Sequence, residues 1–267
     1  MPAAPAWNAA IPATEAITAP IATPTTPATL QLADGLRQEE LALAVGAETL
    51  AADLIRAADG QAVHTLVLHG AGQGHRQRQW PLRQTLARLG CASAAIDFSG
   101  HGASSAVHPN SLSKRLAEAQ AALERCTVGP RTVVGVSMSG EIALRLACRP
   151  DNQITHVVTL VGAIYDGAAF ALPFGPAFST ALRRPGSWRE AEVLQMISHY
   201  RGRITLVRAS EDVVIPAEVA ELVRQHATAA DCRIIDLPGV DHRISERIQH
   251  DAALREQLAR LIAGGSA

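Results

Sequence analysis

The chain has 267 residues, enough for one large domain or two small ones, and 48% of them are hydrophobic, so a sizeable core can be buried. With 24 basic and 25 acidic residues the net charge is −1, which gives no reason to expect a nucleic-acid partner or an acidic membrane surface. Cys91, Cys126, Cys148 and Cys232 form no Cys-x-x-Cys pair, so neither a zinc nor a redox motif is indicated. They read as isolated thiols of a cytoplasmic protein.

Residues 1–31 differ from the rest. The first 30 hold six prolines, many Ala and Thr, one acidic residue (Glu15) and no Lys or Arg. That composition cannot bury enough surface to offset ordering entropy, so a disordered tail is expected, followed by one domain over 32–267. The prolines interrupt every short apolar run and there is no basic start, which argues against a secretory signal. No later run approaches the ~20 apolar residues of a membrane span.

Leu41–Val45 and Leu50–Ile55 flank Gly46-Ala47-Glu48 and predict an opening hairpin. Strands are then expected at Thr65–Leu68, Ala92–Ile96, Thr132–Val136, His156–Val161, Ile204–Arg208 and Arg233–Leu237. Helical spacing covers Pro81–Leu89, Ser113–Glu124, Glu141–Cys148, Ala217–His226 and a last helix from Ile244 to Ile262. Short apolar strands alternating with helices predict an α/β fold, a mostly parallel sheet covered on both faces. Ligands of such sheets sit at the carboxyl ends of the strands. One stretch, about 165–195, breaks the alternation. Six of the nine aromatic residues fall between Tyr165 and Tyr200, and Pro173, Pro176 and Pro185 accompany them. It reads as an inserted lid, with Phe170, Phe174, Phe178 and Trp188 as candidate substrate contacts.

Gly135-Val136-Ser137-Met138-Ser139-Gly140 follows an apolar strand and precedes an apolar helix. A strand turning sharply into a helix exposes the serine hydroxyl and needs small neighbours, which makes Ser137 the candidate nucleophile. Ser139 stands where glycine is usual; serine is small, so the turn is expected to survive. A serine hydroxyl needs a base oriented by an acid. Of the three late histidines, His226 and His250 fall inside predicted helices, whereas His242 follows a strand and is the candidate base. Asp212, in Ser210-Glu211-Asp212, is the candidate acid. Glu211 is its neighbour, Asp241 a rival that adjoins the base, and Asp166 a weaker one. Oxyanion donors are expected from the amides of Met138 and of Ala71, in the loop His69-Gly70-Ala71-Gly72-Gln73-Gly74. The spacing of those glycines matches neither a P-loop nor a dinucleotide fingerprint. Asp97-Phe98-Ser99-Gly100-His101-Gly102-Ala103-Ser104 reads as a structural turn, and His69 and His101 as scaffold.

Together the blocks at 69–72, 97–104, 135–140, 210–212 and 239–242 resemble the α/β-hydrolase family, especially its small lidded esterase-like and thioesterase-like members; the resemblance spans about Leu41 to Ala263. It implies an α/β-hydrolase fold with about eight strands, and hydrolysis through an acyl-enzyme without cofactor or metal. Ser137 disfavours relatives with an Asp nucleophile. An ester of an apolar acyl group is the expected substrate. A thioester or an acyl transfer is the alternative, and a non-catalytic binding protein on the same fold the further one. Arg183, Arg184 and Arg189 read either as a solvated face or as partners for a carboxylate or the phosphates of a CoA thioester. The oligomeric state is left open.

Overall fold

A computed structural model describes residues 32–33 and 35–264; the tail expected over 1–31 lies outside them. Eight strands form one sheet: β1 (Arg37–Val45), β2 (Glu48–Arg56), β3 (Thr65–Leu68), β4 (Ser93–Ile96), β5 (Arg131–Val136), β6 (Ile154–Leu160), β7 (Arg203–Ala209) and β8 (Asp231–Leu237). Their order is β1-β2-β4-β3-β5-β6-β7-β8. β2 runs antiparallel to β1 and β4, and β3 to β8 are mutually parallel. This is the mostly parallel sheet of about eight strands expected from the sequence.

Strand periodicity divides the core in two. Leu66 and Leu68 of β3 point to the same side as Val133 and Leu206; there they meet α2 (Leu112–Cys126), α3 (Ser139–Ala147) and α7 (Ala217–His226). Val67, Val134, Val158 and Val207 point to the other side and meet α1 (Trp80–Arg88), α8 (Ile244–His250) and α9 (Ala252–Ile262). The β6–β7 connection carries α4 (Gly167–Phe170), α5 (Pro176–Arg183), a 3-10 turn at Ser187–Glu190 and α6 (Val193–Ile197).

Two local expectations change. The single last helix is broken at Asp251, whose extended backbone (φ −103°, ψ 99°) ends α8 and whose carboxylate accepts the Leu254 amide at 3.0 Å to start α9. Apolar residues continue across the break, so periodicity alone joined the two. Val161 was expected to end a strand, but it lies beyond β6 with φ +47°, a conformation rare for a β-branched residue. Its amide donates to the Val207 carbonyl at 2.9 Å, which holds the bend.

A buried ionic cluster clamps α1 to the antiparallel side of the sheet. Asp53 and Arg83 have fully buried side chains and are ion-paired. Arg83 Nη2 also donates to the carbonyls of Asp53 and Ser93, both at 3.0 Å, and Trp80 Nε1 donates to Asp53 Oδ2 at 2.8 Å. Removing one partner strands the other charge in a dry interior. Asp53→Ala is therefore expected to lower unfolding free energy by about 3–5 kcal/mol, read from urea denaturation midpoints at constant m-value.

Candidate active site

The carboxyl ends of β3, β5, β7 and β8 converge on Ser137. Between β5 and α3 the chain turns within two residues, and Ser137 takes φ +49°, the left-handed region disfavoured for a residue with a side chain. The turn is held by three backbone bonds: Ser137 N to Leu160 O (2.9 Å), Gly140 N to Ser137 O (2.8 Å) and Ala163 N to Ser137 O (3.0 Å). Glycine is required twice for space. A Cβ on Gly140 would lie 2.7 Å from the Gly162 Cα, and one on Gly135 would lie 2.9 Å from the Ala143 Cβ. Ser139 does more than fit: its buried hydroxyl donates to the His69 carbonyl at 2.6 Å, tying the turn to the loop after β3.

Ser137 Oγ lies 3.0 Å from His242 Nε2, and His242 Nδ1 lies 2.9 Å from Asp212 Oδ2. The other carboxylate oxygen of Asp212 accepts the amides of Val214 (2.8 Å) and Ile215 (2.9 Å). The loops carrying Asp212 and His242 are bound to each other by Ser210 N to Leu237 O (3.1 Å), Glu211 N to Val240 O (2.9 Å) and Gly239 N to Ser210 Oγ (2.9 Å). The competing carboxylates are occupied elsewhere. Asp241 bonds Arg243 through Nε and the amide, Asp166 caps α4 and pairs with Arg184, and Glu211 faces solvent. His226 and His250 are exposed at helix ends.

Gly70 packs directly on the turn; a Cβ built on it would sit 3.2 Å from the Ser137 Cβ. Among the described residues neither the Ala71 nor the Met138 amide donates a hydrogen bond to the protein. His69 and His101 are buried beside this loop. Burial, reinforced by the Arg115 cation, holds His69 well below the ordinary histidine range and brings His101 down to about 4. Among the described residues no group of three or more His, Cys, Asp or Glu is placed to hold a metal ion.

The lid aromatics separate into two sets. Phe174 packs against Phe178 with the rings tilted (4.7 Å between centroids) and lies over the Arg115 guanidinium at 5.4 Å. Phe170 receives Arg145 on its face at 3.8 Å, and Trp188 is buried against the same core. Of the lid arginines, Arg184 pairs with Asp166 and Arg189 with Glu218 of α7, so these two are engaged within the chain. A cavity of about 20 Å³, room for one water, lies under the loop carrying Asp212, between Leu144, Ile164, Leu206 and Val219, and does not reach Ser137. Sequence reading missed Arg115 and Glu141. Arg115 falls on the apolar side of the predicted helix, in register with Ala119 and Ala122, which was the available signal.

The model of the alpha/beta hydrolase family matches residues 65–263. No curated protein sequence matches the chain. Among solved structures it is similar to a predicted CIB-like hydrolase from Thermoplasma acidophilum (14% identity over 85% of this chain and 96% of that one, TM-score 0.63). It is also similar to the thioesterase domain from the curacin biosynthetic pathway (20% identity, 85% and 99% covered, TM-score 0.63). A third likeness is to Est1E from Butyrivibrio proteoclasticus, solved with ferulic acid bound (16% identity, 84% and 99% covered, TM-score 0.63). At these identities the structural likeness concerns the fold.

Glu141, in the first turn of α3, is fully buried; it accepts Arg145 Nε at 2.7 Å and the Tyr165 amide, at the entry to the lid, at 2.5 Å. Burial raises its carboxyl to about 7 against the opposing pull of Arg145. A carboxyl raised in the folded state contributes stability that is full below its unfolded value near 4.5 and is lost as pH rises to about 7. The unfolding free energy of wild type minus that of Glu141→Gln is therefore expected to fall from pH 4.5 to 7 and level off above, in urea titrations across that range.

Proposed function

The chain belongs to the alpha/beta hydrolase family, and on that premise we propose that it is a serine hydrolase cleaving a carboxylic ester of an apolar acyl group through an acyl-enzyme. The observation that carries the reading is the continuous hydrogen-bonded series Ser137–His242–Asp212 at 3.0 and 2.9 Å. His242 Nε2 takes the hydroxyl proton as Ser137 Oγ attacks the acyl carbonyl. Asp212 keeps the imidazole in the tautomer whose Nε2 is free to accept, and balances the imidazolium that forms. The Ala71 and Met138 amides receive the oxyanion. Collapse of the tetrahedral intermediate expels the alcohol, which leaves with the proton from His242. Water, deprotonated by the same imidazole, then attacks the acyl-enzyme and frees the acid and Ser137.

The substrate class rests on the lid. Phe174, half-buried against the Arg115 guanidinium that binds the Gly70 carbonyl, supplies the apolar wall for the acyl group with the buried Phe178 behind it, whereas Phe170 and Trp188 pack the lid onto α3 and the core. Pairing of Arg184 and Arg189 with carboxylates of the chain favours an ester over a CoA thioester as substrate.

Ser137→Ala is expected to lower kcat by roughly 10⁴-fold or more and to abolish covalent labelling by a fluorophosphonate probe, with labelled Ser137 identified by peptide mass spectrometry. Retention of full turnover by that variant would sink the scheme. Asp212→Asn is expected to cost roughly 10⁴-fold in kcat with little change in KM, because the imidazole loses its partner for Nδ1–H. A panel of neutral acyl esters and acyl-CoA thioesters of graded chain length is expected to give higher kcat/KM for the esters; the reverse order would reassign the substrate class. Competing alcohols in the same assay separate hydrolysis from acyl transfer.

A further inference from the structure

Arg115 is a cation that burial disfavours. It is 1% exposed, and burial brings its guanidinium down to about 10, which leaves it charged at neutral pH. Among the described residues it forms no ion pair with a carboxylate. Its partners are instead the Gly70 carbonyl (from Nη1, 3.2 Å), the His101 Nε2 (from Nη2, 2.9 Å) and the faces of Phe98 (4.7 Å) and Phe174 (5.4 Å). Glu118 acts on it only at longer range, and burying a guanidinium without a paired carboxylate costs several kcal/mol; one of its partners, the Gly70 carbonyl, belongs to the loop beside Ser137.

The Gly70 carbonyl receives a second donor. Phe98 N donates to His69 Nε2 at 3.1 Å, so the proton of this neutral imidazole is on Nδ1, which donates to Gly70 O at 2.7 Å. Gly70 O and Ala71 N belong to one planar trans peptide. Fixing the oxygen therefore fixes the direction of the Ala71 N–H on the opposite edge. Two donors on the oxygen, one charged, also draw electron density from the peptide and make its N–H a stronger donor. The carbonyl before it is tied as well, by the Ser139 hydroxyl. The loop then folds over this peptide so closely that a Cβ on Gly74 would lie 2.7 Å from His69 Nδ1.

We propose that Arg115 is a positioning residue for oxyanion stabilisation: with His69 it holds the Gly70–Ala71 peptide so that the Ala71 N–H faces the reacting carbonyl, while Phe174 of the lid keeps the guanidinium dry. The inference rests on the serine-hydrolase reading above and adds to it a residue that need not touch substrate.

The test uses Arg115→Met and Arg115→Lys in the full chain, with a neutral p-nitrophenyl ester and rates expressed per titrated active site. Expected for Arg115→Met is a fall in kcat of about 10- to 50-fold, below the ~10²–10³ for deleting an oxyanion donor outright, with KM within about twofold. A trifluoromethyl ketone, which forms a tetrahedral oxyanion adduct, should weaken in parallel, and Arg115→Lys should restore part of both. In ¹³C-labelled protein the Gly70 carbonyl resonance should move upfield in Arg115→Met. If that variant does not fold, Arg115→Gln carries the same measurements. Either an unchanged Gly70 resonance or an unchanged kcat per site overturns the inference while leaving an active Ser137 in place. So does a rise in KM confined to anionic substrates, which would make Arg115 a substrate-binding group. A wild-type chain that neither turns over esters nor labels at Ser137 overturns the functional reading and this inference together.

Discussion

The site depends on the backbone of Ser137. Holding a non-glycine residue at φ +49° costs about 1–2 kcal/mol, and that conformation lets β5 turn into α3 without a loop between them. The helix must then lie against the strand and against the start of the β6–β7 connection, and only small residues permit it. Gly135 meets α3, and Gly140 meets Gly162. The strained Val161 belongs to the same arrangement, because the bend after β6 brings Gly162 to Gly140 and the Ala163 amide to the Ser137 carbonyl. Two unusual backbone positions, each just past the end of one of two adjacent strands, thus sustain each other.

The parallel register of β7 and β8 sets the rest of the constellation. Leu237 pairs with Ala209, so the two strands end level. The loops that follow bind each other through their backbones before any side chain is considered. Asp212 and His242 are 30 residues apart in the chain, yet the distance between them is fixed by two short loops on a rigid sheet. A carboxylate that already accepts two amides has one oxygen left to give, and the imidazole takes it.

What was legible in the sequence follows from this. Strands with apolar runs, the order Ser137, Asp212, His242 and the loop placement of each could be read because every one is a local signal at a strand end. The break at Asp251 could not be, because apolar positions on both sides keep helical spacing and the cap is a single carboxylate. Val161 could not be, since nothing local predicts a left-handed valine; its bend is tied to residues distant in sequence, by Val161 N to Val207 O and by Ala163 N to Ser137 O. Ser139 looked like a tolerated departure and proved to be a tie between loops. Arg115 and Glu141 were missed because a charged residue in a helix reads as solvent-facing unless its partners, distant in sequence, are known; only Arg115's register with Ala119 and Ala122 hinted otherwise.

Those two residues also show how the lid is joined to the chemistry. Each sits on a helix that reaches the site, and each touches the lid. Glu141 follows Ser137 by one turn and binds the Tyr165 amide, while its partner Arg145 extends to Glu192 and Phe170, near the two ends of the 165–195 segment. Arg115 binds the Gly70 carbonyl on one side and lies under Phe174 on the other. The 165–195 segment is therefore packed on side chains that also bind the backbone around Ser137, not merely placed above it. Moving Phe174 to admit an acyl group would bring water to a guanidinium whose strength as a donor depends on being dry. On the proposed reading, an apolar acyl chain seated there would replace that cover, and the contact that excludes water would also condition the Gly70–Ala71 peptide offered to the oxyanion.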